Sequence, residues 1–283
     1  MIRFPAGFDG ETRIKRYADY YQAGYGVSML SSGFDPRSLF AGGQQGVWYD
    51  PSDFSTMFKD TAGTDPVTAA GDAVALIRDK SGRGNHASQS TLASRPLLQQ
   101  DGTGRWFLLF DGSNDSLVTS SINFSATNKV TAISGVRKLS DAADGVFLSF
   151  GNTSLNSGSF EFGAPAFGTV VKFQFVSRGT GVTAAPFTTS ATYNAPFTGV
   201  VTGIADIAAP SATLRINRTQ VSQVTTTQGS GQYGTYPLYI GRRDATTQPF
   251  NGRIYSMIVC GALLATATLN ETELFVNAAT GAF

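Results

Sequence analysis

The sequence predicts an all-β protein: an antiparallel two-sheet β-sandwich with a short helix near each end. Three observations point there. From Arg95 onward the chain is a succession of short runs, apolar or alternating in period two, cut by Gly, Asp and Asn. The composition holds 32 glycines in 283 residues and only 14% charged residues, as strands with uncharged polar faces and Gly-rich turns require. Finally, Trp106–Phe110 is a continuous apolar run suited to burial on both faces, followed by turn formers from Asp111 to Asp115 and then by Ser116–Ser120. Asp-Gly is a strong hairpin signal, so this stretch reads as a core hairpin around which the other strands are laid.

Taken in order, the first helix candidate is Glu11–Gln22, with Ile14, Tyr17, Tyr20 and Tyr21 at helical spacing and Gly24 and Gly26 beyond its end. Asp35-Pro36 and Asp50-Pro51 each read as a helix start, Asp capping and Pro preorganised for the first turn. Asp53 adds a carboxylate near the second start. The sharper alternative for Asp50 and Asp53 is a general acid/base pair. Ala73–Ile77 reads as a buried strand leading into the loop Arg78–Ala87, whose Asp, Asn and glycines can turn tightly and offer oxygen ligands. The only histidine, His86, sits there beside Asn85 and reads as a hydrogen-bonded surface residue, with no second His or Cys nearby for zinc.

Further strands are expected at Pro96–Gln99, Lys129–Arg137, Gly145–Phe150, Ser159–Gly163, Val170–Val176, Phe187–Asn194, Gly199–Ile207, Thr213–Asn217, Thr219–Val224, Pro237–Gly241 and Gly252–Val259. Asn217-Arg218 marks a tight hairpin, Gly179–Pro196 a long exposed loop or edge, and Leu269–Ala279 a closing helix before Gly281.

The net charge of +1 gives no general electrostatic hold on nucleic acid or an anionic membrane. Arg242-Arg243 and Lys80/Arg83 read as ordinary solvated charges. The single cysteine, Cys260, lies in an apolar run and reads as a buried, inert thiol. The N-terminus has no apolar signal-peptide core, and the longest mostly apolar stretch, Met257–Leu269, is too short to span a bilayer. An extracellular-type β domain without an export signal or disulfides is reconciled by a virus particle assembled inside a cell and released by lysis.

Several motifs follow one another in order: Gly46-Val-Trp48-Tyr-Asp50-Pro-Ser-Asp53, Asp79-Lys-Ser-Gly82-Arg-Gly84-Asn85-His-Ala, Arg95-Pro96 and Phe110-Asp-Gly112-Ser-Asn-Asp115-Ser-Leu117. Leu238-Tyr-Ile240-Gly241-Arg-Arg and Phe250-Asn-Gly252-Arg-Ile254-Tyr come later. From Gly46 to the C-terminus this resembles the laminin-G-like, concanavalin A-like jelly-roll domains of tailed-bacteriophage virion proteins. The resemblance implies a jelly roll over residues 46–283 and an anchoring and oligomerisation segment over 1–45. It implies a virion structural protein, located at a tail fibre, tail tip or head-surface spike, with other virion proteins as partners and most often a homotrimer. The Ile14, Tyr17 and Tyr21 stripe gives the oligomer a surface to bury.

Glycoside hydrolases with this sandwich carry a Glu-x-Asp-x-Glu cluster on one strand. None is present: Glu161 stands alone, and Glu271 and Glu273 fall on a predicted helix. With no nucleophile elbow, phosphate loop or Cys/His metal motif, a non-enzyme is expected. The function expected is a lectin-like module that binds host surface glycan, with Trp48, Tyr233, Tyr236 and Tyr239 as candidate sugar platforms. The alternative is a purely structural component that decorates or joins parts of the virion. Domains of this shape often hold Ca²⁺ with loop oxygens, for which Asp79, Asn85, Asp111 and Asp115 are the candidates. Each has a competing role as a turn former.

Overall fold

The computed structural model describes residues 33–151, 157–168, 171–180, 187–226 and 228–283. The predicted helix Glu11–Gln22 and residues 1–32 of the expected anchoring segment lie outside them. Pro36–Phe283 forms one compact unit. It already includes a 3-10 turn at Pro36–Phe40, whose Leu39 and Phe40 are buried. The Asp50-Pro51 start likewise yields only a 3-10 turn, Phe54–Thr56, with Asp53 as its N-cap accepting from the Ser55 amide. The apolar residues after each Asp-Pro are too few to propagate a helix.

In chain order the strands are β1 (Gly46–Tyr49), β2 (Met57–Phe58), β3 (Leu76–Ile77), β4 (Ala87–Ser88), β5 (Leu97–Gln100), β6 (Trp106–Asp111), β7 (Leu117–Thr119), β8 (Ile122–Asn123), β9 (Lys129–Lys138) and β10 (Val146–Phe150). They continue as β11 (Phe160–Gly163), β12 (Gln174–Ser177), β13 (Phe187–Thr189), β14 (Phe197–Asp206), β15 (Ser211–Ile216), β16 (Thr219–Val224), β17 (Thr235–Tyr236), β18 (Leu238–Ile240) and β19 (Asn251–Cys260). Among the described residues the first sheet runs β16-β15-β14-β9-β19-β6-β5, with β1 also paired to β19. The second runs β13-β12-β11-β10-β18-β7-β4-β3-β2. The all-β two-sheet sandwich is therefore as the sequence predicts. The expected edge near Gly179–Pro196 contains β13, which borders the second sheet.

One expectation is overturned. Trp106–Phe110 and Ser116–Ser120 do not pair as a hairpin: β6 lies in the first sheet and β7 in the second. Both edges of β6 are already taken, by β5 and β19, so β7 has no ladder to join there. The connection crosses between the sheets and is closed by its own side chains. Asp115 accepts from the Asp111 amide at 3.0 Å, and Asp111 from the Ser113 and Asn114 amides. Gly112 supplies a left-handed φ of +76°. The other predicted hairpin holds. Asn217 and Arg218 both take positive φ, 50° and 67°, between β15 and β16, the geometry that a two-residue turn needs to follow strand twist. The strand expected from Val170 begins later, at Gln174, because Val171 is turned out of extended geometry by a φ of +79°.

The core between the sheets is rich in aromatic rings from the second sheet. Phe150 stacks on Phe160 at 5.0 Å between centroids, and Phe162 meets Phe175 at 4.7 Å. Opposite them on β14, Gly203 leaves the room they fill: a Cβ there would lie 2.5 Å from Phe162.

Helix α1 (Thr266–Thr280) buries Leu269, Thr272, Glu273, Val276, Asn277 and Thr280, a three-four spacing that lines one face. It ends at Gly281, left-handed at φ 64°, whose amide returns to the Asn277 carbonyl. The helix packs on β9, β14 and β19. Its buried face touches Gly135, where a Cβ would stand 1.8 Å from Thr280 Oγ1. Val130, Ala132 and Val136 of β9 belong to the inter-sheet core, so Gly135, of opposite parity, marks this as the outer face of the first sheet. No helix among the described residues is long and apolar enough to cross a membrane.

Candidate binding site

The corner that joins β1 to the loop after β3 gathers three of the predicted site residues. Asp79 is its knot. Oδ1 accepts from the Trp48 amide at 2.9 Å and the Ser81 amide at 2.8 Å. Oδ2 accepts from Ser81 Oγ at 2.6 Å and the Asn85 amide at 3.1 Å. The Asp79 amide donates to His86 Nδ1 at 3.0 Å, the surface role expected for that exposed histidine. Asn85 Nδ2 donates to the Gly46 carbonyl at 2.7 Å, and the Tyr49 hydroxyl to the Asn85 carbonyl. Burial and the nearby Asp79 charge hold the Tyr49 phenol well above its ordinary value. The loop thus clamps β1 through a buried carboxylate whose two oxygens receive four protein donors.

Above the knot lies a charged surface. Lys80 Nζ stands 2.9 Å from Asp50 Oδ2 and 2.8 Å from Asp53 Oδ2, and 4.5 Å from the centroid of the Trp48 ring. Burial would push the Lys80 ammonium down, but the two carboxylates outweigh it and raise its pKa. Burial likewise opposes the Asp53 charge, and the Lys80 and Ser55 contacts overcome it to lower the pKa. Lys80 is therefore a bridged cation rather than the solvated charge the sequence suggested. Arg83 is also engaged, donating to the Phe40 carbonyl.

Trp48 itself is only 7% exposed. It pairs with Ile258 on the outer face of the first sheet, and Phe275 of α1 meets its ring edge-on at 5.6 Å. The three tyrosines fall elsewhere. Tyr233 is buried at 1% exposure, its hydroxyl 2.7 Å from Ser177 Oγ and its ring against Phe160. Tyr236 is half-buried against Phe150, donating to the Ser157 carbonyl at 2.9 Å. Tyr239 is half-exposed on β18, between Val118 and Ser149 in register.

The four calcium candidates are not gathered. The loop holding Asp79 and Asn85 leaves one end of β4, and the Asp111–Asp115 crossing meets the other, since Ala87 pairs with Thr119 and Ser88 with Val118. Burial, with a smaller push from Asp111, raises the Asp115 carboxyl to about 6 against the pull of the Asp111 amide. Among the described residues no group of three or more His, Cys, Asp or Glu side chains comes together as a metal site.

Sequence reasoning missed the buried ion pairs. Glu161, 3% exposed, receives a two-pronged contact from Arg243 and a bond from Ser149 Oγ at 3.1 Å. Arg243 was read as a solvated charge. Left-handed turns at Asp244 and Ala245 follow it in the loop between β18 and β19. Glu273, fully buried, is held by Arg215 at 2.9 Å through both guanidinium contacts and by Thr202 Oγ1 at 2.8 Å. The partners are 82 and 58 positions apart, so no local pattern announces them.

No known protein family and no curated protein matches the chain. Solved structures do. The binding domain of Paraclostridial Mosquitocidal Protein 1 is 13% identical, with a TM-score of 0.53 over 74% of this chain and 51% of its own. The receptor binding domain of botulinum neurotoxin D is 10% identical, with a TM-score of 0.53 over 70% of this chain and 49% of its own. The serotype D ligand binding domain in complex with N-acetylneuraminic acid is 11% identical, with a TM-score of 0.53 over 71% and 48%. The chain spans about half the length of these structures, and the likeness is one of fold.

Proposed function

We propose that this chain is a non-catalytic glycan-binding module of a tailed-phage virion, assembled as a homotrimer through its N-terminal segment. The observation that carries the glycan reading is the fold shared with receptor-binding domains, one of them solved with N-acetylneuraminic acid bound. The phage and trimer parts rest on the ordered motifs from Gly46 to Tyr255.

The Lys80 corner offers suitable chemistry. A sugar hydroxyl both donates and accepts, and here an ammonium and two carboxylates lie side by side at a partly exposed surface, with side-chain exposures of 21%, 15% and 33% for Lys80, Asp50 and Asp53. The same pairing argues against acid/base catalysis by Asp50 and Asp53, because both carboxylates are engaged by one lysine and its contact helps lower the Asp53 pKa. Glu161 and Glu273, each clamped by an arginine, are likewise committed to structure.

The test is a binding screen against host surface glycans at millimolar concentration, with Asp53→Asn and Lys80→Met alongside the parent. Binding that both variants weaken supports the module and its site. No binding to any glycan removes the reading. Light scattering of the full chain at micromolar concentration decides the trimer, and a monomer there refutes that part.

A further inference from the structure

We propose that Arg137 and Arg253 form an oxyanion site on the outer face of the first sheet, suited to the carboxylate or sulfate of an acidic saccharide. The saccharide as carrier rests on the glycan-binding reading above; the anion site stands on its own geometry.

The two arginines are direct cross-strand partners on β9 and β19. Val136 and Ile254 beside them point into the core, so both arginines point outward. Like charges set directly opposite each other on a sheet destabilise it, and sandwiches relieve this by pairing. Every ion pair among the described residues uses other cations. The Nε of both Arg137 and Arg253 is buried without a hydrogen-bond acceptor. Arg243 and Arg215, by contrast, each hold a buried carboxylate. Two arginines set opposite each other on one sheet face, each with a donor left over, are complementary to a planar or tetrahedral oxyanion that bridges them.

The surroundings keep the place open. Helix α1 covers the outer face as far as Gly135, two residues before Arg137, where Thr280 closes against the sheet. The negative end of the helix is met by Arg105, whose guanidinium occupies the space a Gly281 side chain would need. Beyond it, Leu109, Arg253, Arg137 and Thr198 form one half-exposed row across four strands. The Arg253 guanidinium is steadied 4.4 Å over the Phe107 ring, a cation–π contact that orders the side chain without consuming its donors.

The experiment compares the full chain with Arg137→Gln/Arg253→Gln at low ionic strength. The probes are sodium sulfate against sodium chloride of equal ionic strength, and a sulfated oligosaccharide against its neutral parent. In the wild type, sulfate is expected to raise the melting midpoint more than chloride does, and the sulfated sugar to bind about tenfold tighter than its parent. The double variant should lose both differences while binding the neutral parent unchanged. Without anion it should melt within a few degrees of wild type, the relieved repulsion offsetting the lost contact with Phe107. If no sugar binds but sulfate acts on the wild type alone, the anion site stands and the glycan reading falls. If the variant keeps the preference, or the wild type shows none, the site is refuted.

Discussion

Removing Arg215 should strip the C-terminal helix of its anchor to the first sheet. Glu273 has no exposed surface, whereas Arg215 retains 17% side-chain exposure. Arg215→Met therefore strands a carboxylate in the interior with only the Thr202 hydroxyl at 2.8 Å to satisfy it. Breaking a buried pair in this way costs about 3–5 kcal/mol. Glu273→Gln is milder: the amide keeps a bond to Thr202, and the freed guanidinium can turn toward water, for about 1–2 kcal/mol. Replacing both, Arg215→Met with Glu273→Leu, should recover most of the loss, since an apolar pair of similar volume often matches a buried ion pair. Urea unfolding of the four proteins measures each quantity as a difference from the parent. At about 2–4 °C per kcal/mol for a domain of this size, Arg215→Met should melt about 10 °C lower. A cost below about 1 kcal/mol for Arg215→Met, or one no larger than for Glu273→Gln, would refute the reasoning.

Three other outcomes are expected. The Asp115 carboxyl, raised to about 6 mainly by burial, is held protonated longer in the native state than in the unfolded chain. Its favourable contribution is complete below about pH 4 and is lost as pH rises through 6, so Asp115→Asn should stabilise by about 1–3 kcal/mol at pH 7.5 and little at pH 4.5; equal effects at both would contradict this. Excess chelator should leave the melting temperature unchanged, because the Asp79 oxygens are already taken by four protein donors, and a drop of several degrees would restore calcium to the site. Burial pushes the Cys260 thiol up to about 11, so the native protein at pH 8 should resist a thiol reagent that labels the urea-unfolded chain within minutes.

Most of the fold was legible because strand and turn signals are local. The period-two runs, the Asn217-Arg218 turn and the closing helix each depend on residues within a dozen positions, and most of them overlap where the sequence placed them, although the strands expected at Ala73–Ile77, Val170–Val176 and Phe187–Asn194 are shorter, at Leu76–Ile77, Gln174–Ser177 and Phe187–Thr189. The Asp111–Asp115 crossing was misread because a turn motif does not say which sheet receives the next strand. That depends on whether β6 has an edge free, and its two partners lie at Leu97–Gln100 and Asn251–Cys260. The candidate site was half legible. Trp48, Asp79 and Asn85 do converge, but the structure gives them the work of fastening β1. Lys80, the residue that joins Asp50 and Asp53, was taken for an ordinary surface charge. Tyr233 was named for its chemistry, and nothing in a Gly-Gln-Tyr-Gly context reveals that its ring is folded inward.

The pairing of β1 with β19 has a consequence for how this protein is made. Gly46 lies opposite Cys260, 214 positions later (260 minus 46). On the ribosome β1 has to wait for β19, so this part of the first sheet cannot close until β19 has emerged. Until then the phenylalanine-rich strands are exposed to one another and to other nascent chains, and such distant pairing makes for slow folding. A circular permutant opened in an exposed turn, with a linker long enough to join Phe283 to Pro36, would let β1 and β19 emerge together.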